Sequence, residues 1–269
     1  MTSAPMPTRT AKKTPLAGLR ILLTNDDGIH APGFRVLQRI ARALSDDLWI
    51  VAPESEQSAA SHALTLHVPL RLRKITARKY AASGTPTDCV FLAYHKVMKG
   101  TPPALVLSGV NRGENMGEDV TYSGTVAAAM EGALLGIPSI ALSQVYERGQ
   151  PVPWATAEAW GPRVIEKILK AGLPRQVLAN VNFPNCLPKD VRGVRITSQG
   201  MHEVGDILEE RIDLRLNPYY WLRDNRTVTR GQKGSDLHAV QDNMVSVTPL
   251  HLDLTHRPAL KAMRAVLER

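Results

Sequence analysis

The chain has 269 residues, 43% of them hydrophobic and 22% charged, which suits one large α/β domain or two small ones and excludes a wholly disordered chain. Its net charge of +8 sits largely in Arg9, Lys12, Lys13 and Arg20 near the start and in Arg71, Arg73, Lys74, Arg78 and Lys79 of RLRKITARKY. Cys89 and Cys186 are far apart and in no metal-type spacing, which excludes a disulfide framework or a zinc site and fits a cytoplasmic protein.

Residues 1–18, MTSAPMPTRTAKKTPLAG, read as a flexible basic leader without the apolar core of a signal peptide, and residues 19–269 as a single α/β domain. No apolar run reaches the ~18 residues of a membrane span, so no membrane partner is expected. Leu19–Thr24 reads as a strand and Gly33–Leu44 as a helix with apolar positions at Phe34, Leu37, Ile40, Ala41 and Leu44. A strand at Leu48–Ala52 stops at Pro53, and the basic stretch that follows reads as one further strand. Next come a helix at Thr87–Met98, a strand at Ala104–Leu107, a small-residue helix at Ser123–Leu135 and a strand at Ser139–Ser143. A helix at Ala155–Leu169 and a strand at Val177–Asn182 complete the alternation. Such alternation predicts a mostly parallel sheet with helices on both faces. Beyond it, GVRITSQG, DILEERIDLRL and NMVSVTPL are extended segments, and Ala259–Glu268 is a closing helix. These read as hairpin-like additions to the sheet edge or as an arm.

Three polar clusters each follow a strand directly: TNDDG, APESEQSAASH and SGVNRGENMGEDVTYSGT. In an open parallel sheet the carboxyl ends of the strands share one edge, where ligands bind. That topology brings Asp26, Asp27, Ser58 and Asn111 within reach of one another. Two carboxylates, a hydroxyl and an amide oxygen form an all-oxygen set suited to a hard divalent cation, Mg²⁺ or Mn²⁺, which would also relieve the repulsion between adjacent acids. The bland reading is that Asp26 caps a turn and Asp27 is solvated. In the third cluster Gly109, Gly113 and Gly117 allow tight turns, Asn115 supplies an amide, and Ser123 caps a helix that begins at Gly124 and Thr125. A helix start of this kind favours a phosphate, although an ordinary capped helix has the same signature.

His30 and His62 lie in these loops, where histidines usually have no catalytic role, and Glu131 faces either the site or solvent. NPYYWL suits core or interface packing better than stacking on a base. The positive excess attracts phosphorylated small molecules as readily as nucleic acid, and a nucleic-acid partner is the lesser reading.

The sequence resembles the SurE (survival protein E) family of metal-dependent nucleotidases. The matching motifs are ILLTNDDGIHAPG, SHALTL, SGTPTDCV, SGVNRGENMGEDVTYSGTVAAAMEG, GIPSIALS, NVNFP and VSVTPL, in the family's order from Leu19 to Leu254. The resemblance implies a Rossmann-like core and one divalent metal ion per subunit on Asp26, Asp27, Ser58 and Asn111. It also implies release of phosphate from nucleoside 5′- and 3′-monophosphates, with short polyphosphate as a further substrate, and C-terminal segments exchanged in a homodimer that can pair into a homotetramer. In the mechanism expected, Asn115, Ser123, Gly124 and Thr125 hold phosphate oxygens, and one of the two Asp residues or the metal alone activates the water. Where the family loop commonly reads Pro-Asp and then Arg-Ser-Gly, this chain has Pro53-Glu54 and then Gln57-Ser58-Ala59. A positive charge and a flexible glycine are therefore missing beside Ser58.

Overall fold

Residues 15–202, 208–222 and 230–268 are described by the structure, a computed structural model. Residues 1–14 of the expected leader, and Asp206 and Ile207 of DILEERIDLRL, lie outside them. Residues 15–18 form a turn that belongs to the body of the fold: the Leu16 amide donates to the Leu44 carbonyl at 2.9 Å, and its side chain packs on the core.

Strand β1 (Ile21–Thr24) is buried at every position, as expected of a strand covered on both faces. Helix α1 (Pro32–Leu44) follows, with Pro at its start, where the missing N–H is not needed. Strand β2 (Leu48–Pro53) leads to β3 (Leu72–Thr76) and β4 (Lys79–Ala82), an antiparallel hairpin where one basic strand was expected. Helix α2 (Pro86–Leu92) is fixed by a capping box in which Thr85 and Asp88 satisfy each other's backbone amides. It ends in a wider turn over Ala93–Val97, inside the single helix expected to Met98. Strand β5 (Leu105–Arg112), helix α3 (Gly124–Leu134), β6 (Ser139–Gln144), α4 (Trp154–Ala171) and β7 (Val177–Phe183) continue the alternation.

The C-terminal part supplies β8 (Gly193–Ile196), β9 (Leu208–Ile212), β10 (Pro218–Leu222), a short α5 (Asp236–Gln241), β11 (Met244–His251) and α6 (Arg257–Leu267). The nine-stranded sheet has the order β3-β4-β2-β1-β5-β6-β7-β11-β8. Its pairings are parallel except β3 with β4 and β7 with β11. Among the described residues, strands β9 and β10 pair only with each other, as a separate hairpin. Edge addition and a free-standing arm therefore both occur.

Alternate strand residues serve opposite layers. Ile21 and Leu23 pack with α1 and α4, whereas Leu22 packs with α2 and α3. Strand β1 lies between β2 and β5, so the chain leaves β1 toward one side and later crosses to the other. That reversal places a crevice at the carboxyl ends of β1 and β5, with β2 adjoining.

Candidate active site

Asp26 and Asp27 leave β1 directly into this crevice. The turn that carries them is held by the Asn25 side-chain amide, which donates to the Gly28 carbonyl at 2.9 Å. Asp26 is 4% exposed. The Thr125 hydroxyl donates to its Oδ1 at 2.5 Å and the Thr125 amide to its Oδ2 at 3.1 Å. Asp27 is half-buried and, among the described residues, accepts only the Arg112 amide, at 3.3 Å. Burial pushes the Asp26 carboxyl above its ordinary range despite the Thr125 bonds. Burial, then the charge of Asp26, pushes Asp27 up to about 6.

The close approach of helix α3 to Asp26 requires glycine at its first position. A Cβ on Gly124 would stand 2.9 Å from the Asp26 Cβ and 3.1 Å from Oδ2. Ser123 caps the helix by accepting the Val126 amide at 3.1 Å, which leaves its hydroxyl proton free to donate elsewhere. The Gly124 amide belongs to the first turn, whose N–H groups find no acceptor within the helix.

Asn111 was expected in a loop, yet β5 continues through it to Arg112. The strand is irregular between Ser108 and Asn111. There Gly109 has φ +131, and a Cβ on it would lie 2.2 Å from the Leu142 carbonyl oxygen. A bulge of this kind re-aims the residues after it. The Asn111 amide nitrogen donates to the Gly113 carbonyl at 3.1 Å, so its Oδ1 remains as a donor atom for a cation. Ser58 arrives on the loop after β2, where its hydroxyl donates to Glu56 at 2.9 Å and its lone pairs stay available.

Asp26, Asp27, Ser58, Asn111, Asn115 and Ser123 line one cavity of about 1080 Å³. Gly124 and Thr125 stand at its floor through their contacts with Asp26. Among the described residues no group of three or more His, Cys, Asp or Glu is placed to hold an ion, so a cation here needs the hydroxyl and amide oxygens as well. Four oxygen donors with two carboxylates, one of them held near pH 6 by burial beside the other, fit a single divalent ion.

Asn115 lies beneath the cavity in a buried clamp. Its side chain donates to Ser143 at 2.8 Å, and its backbone amide donates to the Asn182 side chain at 2.9 Å. Its carbonyl accepts from Asn180 at 2.7 Å and Asn182 at 3.1 Å. This clamp fixes the loop ahead of α3, and because only one of the two amide N–H groups is spent on Ser143, the other can still donate to a phosphate oxygen. His62 likewise joins two parts of the site: it contacts Glu131 of α3 at 3.1 Å, while Ser61 bonds the Thr121 and Tyr122 carbonyls.

The family model described as "Survival protein SurE" matches residues 21–206. The chain belongs to the SurE family. It is 57% identical to the 5′-nucleotidase SurE of Paramagnetospirillum magneticum, over 92% of this chain and 95% of that protein. It is 52% identical to the 5′-nucleotidase SurE of Parvibaculum lavamentivorans, over 95% and 93% respectively. The crystal structure of the SurE protein from Aquifex aeolicus superposes with a TM-score of 0.81 at 38% identity, covering 92% of this chain and 99% of that one.

Within this SurE frame, sequence reasoning passed over the residues that hold the site residues. Asn180 and Asn182, two apart on a buried strand, share a face, and two amides on the inner face of a strand are a readable signal. Arg112, whose amide reaches Asp27 and whose side chain lies over Tyr146, left no comparable trace.

Proposed function

We propose that the protein is a phosphomonoesterase that hydrolyses nucleoside 5′-monophosphates, and their 3′ isomers, to nucleoside and phosphate, with short polyphosphate as a further substrate. One observation carries this reading: paired carboxylates, two further oxygen donors and the start of helix α3 meet in one cavity. It occurs in a chain 57% identical to a protein named a 5′-nucleotidase.

Asp26, Asp27, Ser58 and Asn111 would hold one Mg²⁺ or Mn²⁺ per subunit. When bound, that ion supplies Lewis-acid stabilisation of phosphate charge. The chain supplies the rest. Ser123 and the Gly124 amide donate to phosphate oxygens, aided by the positive end of the α3 dipole. Thr125 fixes the orientation of the Asp26 carboxylate at the cavity floor, and Asn115 keeps the preceding loop in place. Asp27, the less engaged carboxylate, is the group available to accept a proton from an attacking water. A phosphoaspartyl route is disfavoured because both Asp26 oxygens are already bonded and the residue two further on is Gly28. No helix among the described residues is long and apolar enough to cross a membrane, and two free cysteines suit an enzyme of the cytoplasm.

The test is phosphate release from a panel of 5′- and 3′-monophosphates and short polyphosphate, before and after chelation. Release that chelator abolishes and Mg²⁺ or Mn²⁺ restores is expected. No release from any nucleoside monophosphate under any metal would overturn the reading.

A further inference from the structure

Asp27 and the ring of Tyr146 are separated by the span of one residue. Arg112 donates its amide to Asp27 at 3.3 Å, and its guanidinium carbon lies 5.1 Å from the centre of the Tyr146 ring. The next residue, Gly113, has its amide on the Gln144 carbonyl at 3.0 Å. The backbone that carries Tyr146 is equally constrained. The buried Gln144 side chain donates to the carbonyls of Val145, Phe183 and Pro184 at 3.1, 3.3 and 3.0 Å, and accepts the Ala157 amide at 3.1 Å. The Val145 amide donates to Phe183 at 3.0 Å. Tyr146 is therefore a half-buried aromatic group on a fixed mount, lining the same cavity as the paired acids.

We infer that Tyr146 is the stacking platform for the base of the nucleotide. The inference rests on the nucleotidase reading above and says which part of the cavity recognises the part of the substrate that does not react. A cavity of about 1080 Å³ has room beyond a phosphate, and the loop between β6 and α4 lines it with Tyr146, Arg148, Pro151 and Val152. Aromatic rings bind bases through their faces with little dependence on sequence, because every base has such a face. A ring held by a guanidinium loses little freedom when the base arrives, so less of the stacking energy is offset by ordering. Arg112 also sets a positive charge between the base platform and the acids.

The experiment compares kcat/KM for AMP with kcat/KM for ribose 5-phosphate, which lacks the base, in wild type, Tyr146→Phe and Tyr146→Ala, each first shown to melt cooperatively. The AMP to ribose 5-phosphate ratio is expected to fall by about 10-fold in Tyr146→Ala, mainly through KM for AMP, and to be kept in Tyr146→Phe. An unchanged ratio in Tyr146→Ala, with wild type active on both substrates, overturns this inference alone. A loss as large in Tyr146→Phe as in Tyr146→Ala overturns stacking as its basis. A ratio that collapses in Tyr122→Ala but not in Tyr146→Ala overturns it too, because the base then lies against the segment ahead of α3. Failure of wild type to release phosphate from either substrate removes the nucleotidase reading, and this inference with it.

Discussion

Thr125 grips Asp26 twice, through its hydroxyl and its amide, and so leaves the neighbouring Asp27 as the less restrained of the pair. The two acids should therefore respond differently to substitution. Asp26→Asn and Asp27→Asn should each weaken Mg²⁺ or Mn²⁺ binding in a calorimetric titration, with activity only partly restored at high metal. Thr125→Val removes a hydrogen bond to a buried carboxyl and should cost about 1–3 kcal/mol of stability in urea unfolding. Metal affinity equal to wild type in both Asp variants would defeat the proposal that these carboxylates hold the ion.

The raised Asp27 carboxyl predicts a pH dependence of metal stabilisation. In the metal-free fold Asp27 titrates near 6 instead of near 3.8, so this group favours the fold at low pH and the contribution is lost as pH rises through about 6. At pH 7.5 Asp27 is ionised in its buried position beside Asp26, a cost that a cation relieves. At pH 5.5 protons compete with the cation for Asp27. The rise in Tm on adding Mg²⁺ should accordingly be larger at pH 7.5 than at pH 5.5. Equal rises at the two pH values in scanning calorimetry would contradict it.

Ala59 occupies a left-handed conformation, with φ +61, at the place where the family commonly has glycine. A side chain there costs roughly 1–2 kcal/mol, partly offset because alanine has fewer unfolded conformations to lose. Ala59→Gly should stabilise the protein by up to about 1 kcal/mol. A lower urea midpoint would show that the loop does not keep this conformation in solution.

The β9–β10 hairpin exposes Leu208, Ile212, Tyr220, Trp221 and Leu222, and α6 exposes Met263, Val266 and Leu267. Apolar surface on such an arm is the kind that a second subunit covers. We expect a homodimer or homotetramer, and expect Trp221→Lys to shift the assembly toward monomer. Sedimentation of wild type as a stable monomer at micromolar concentration would rule this out.

Much of this architecture was legible because burial on both faces makes strands such as ILLT and SIALSQ unbroken apolar runs, and because polar residues follow them abruptly. Asp26, Asp27, Ser58 and Asn111 were located by that rule and line one cavity. The hairpin β3–β4 was harder to read. Its first strand is largely exposed, so no apolar alternation separates it from its partner, and the turn at Ala77–Arg78 has neither Gly nor Pro. Helix α5 is only six residues long, too short to show a helical period. The roles of Asn115 and Thr125 depend on partners 67 and 99 residues away, which a local pattern does not reveal.

Those separations bear on how the protein is made. A chain leaving the ribosome exposes both acids long before it has the residues that restrain them: Arg112 follows Asp27 by 85 residues, and Thr125 follows Asp26 by 99. Until β5 and α3 have been synthesised and docked beside β1, the acids stand in an open turn, solvated and with ordinary proton affinity. Closing segments of that length has an entropic cost that local contacts cannot offset. If these acids hold a cation as proposed, its tight capture would be a late event in biogenesis, and a fragment cut short before Thr125 would carry both acids without the means to hold them.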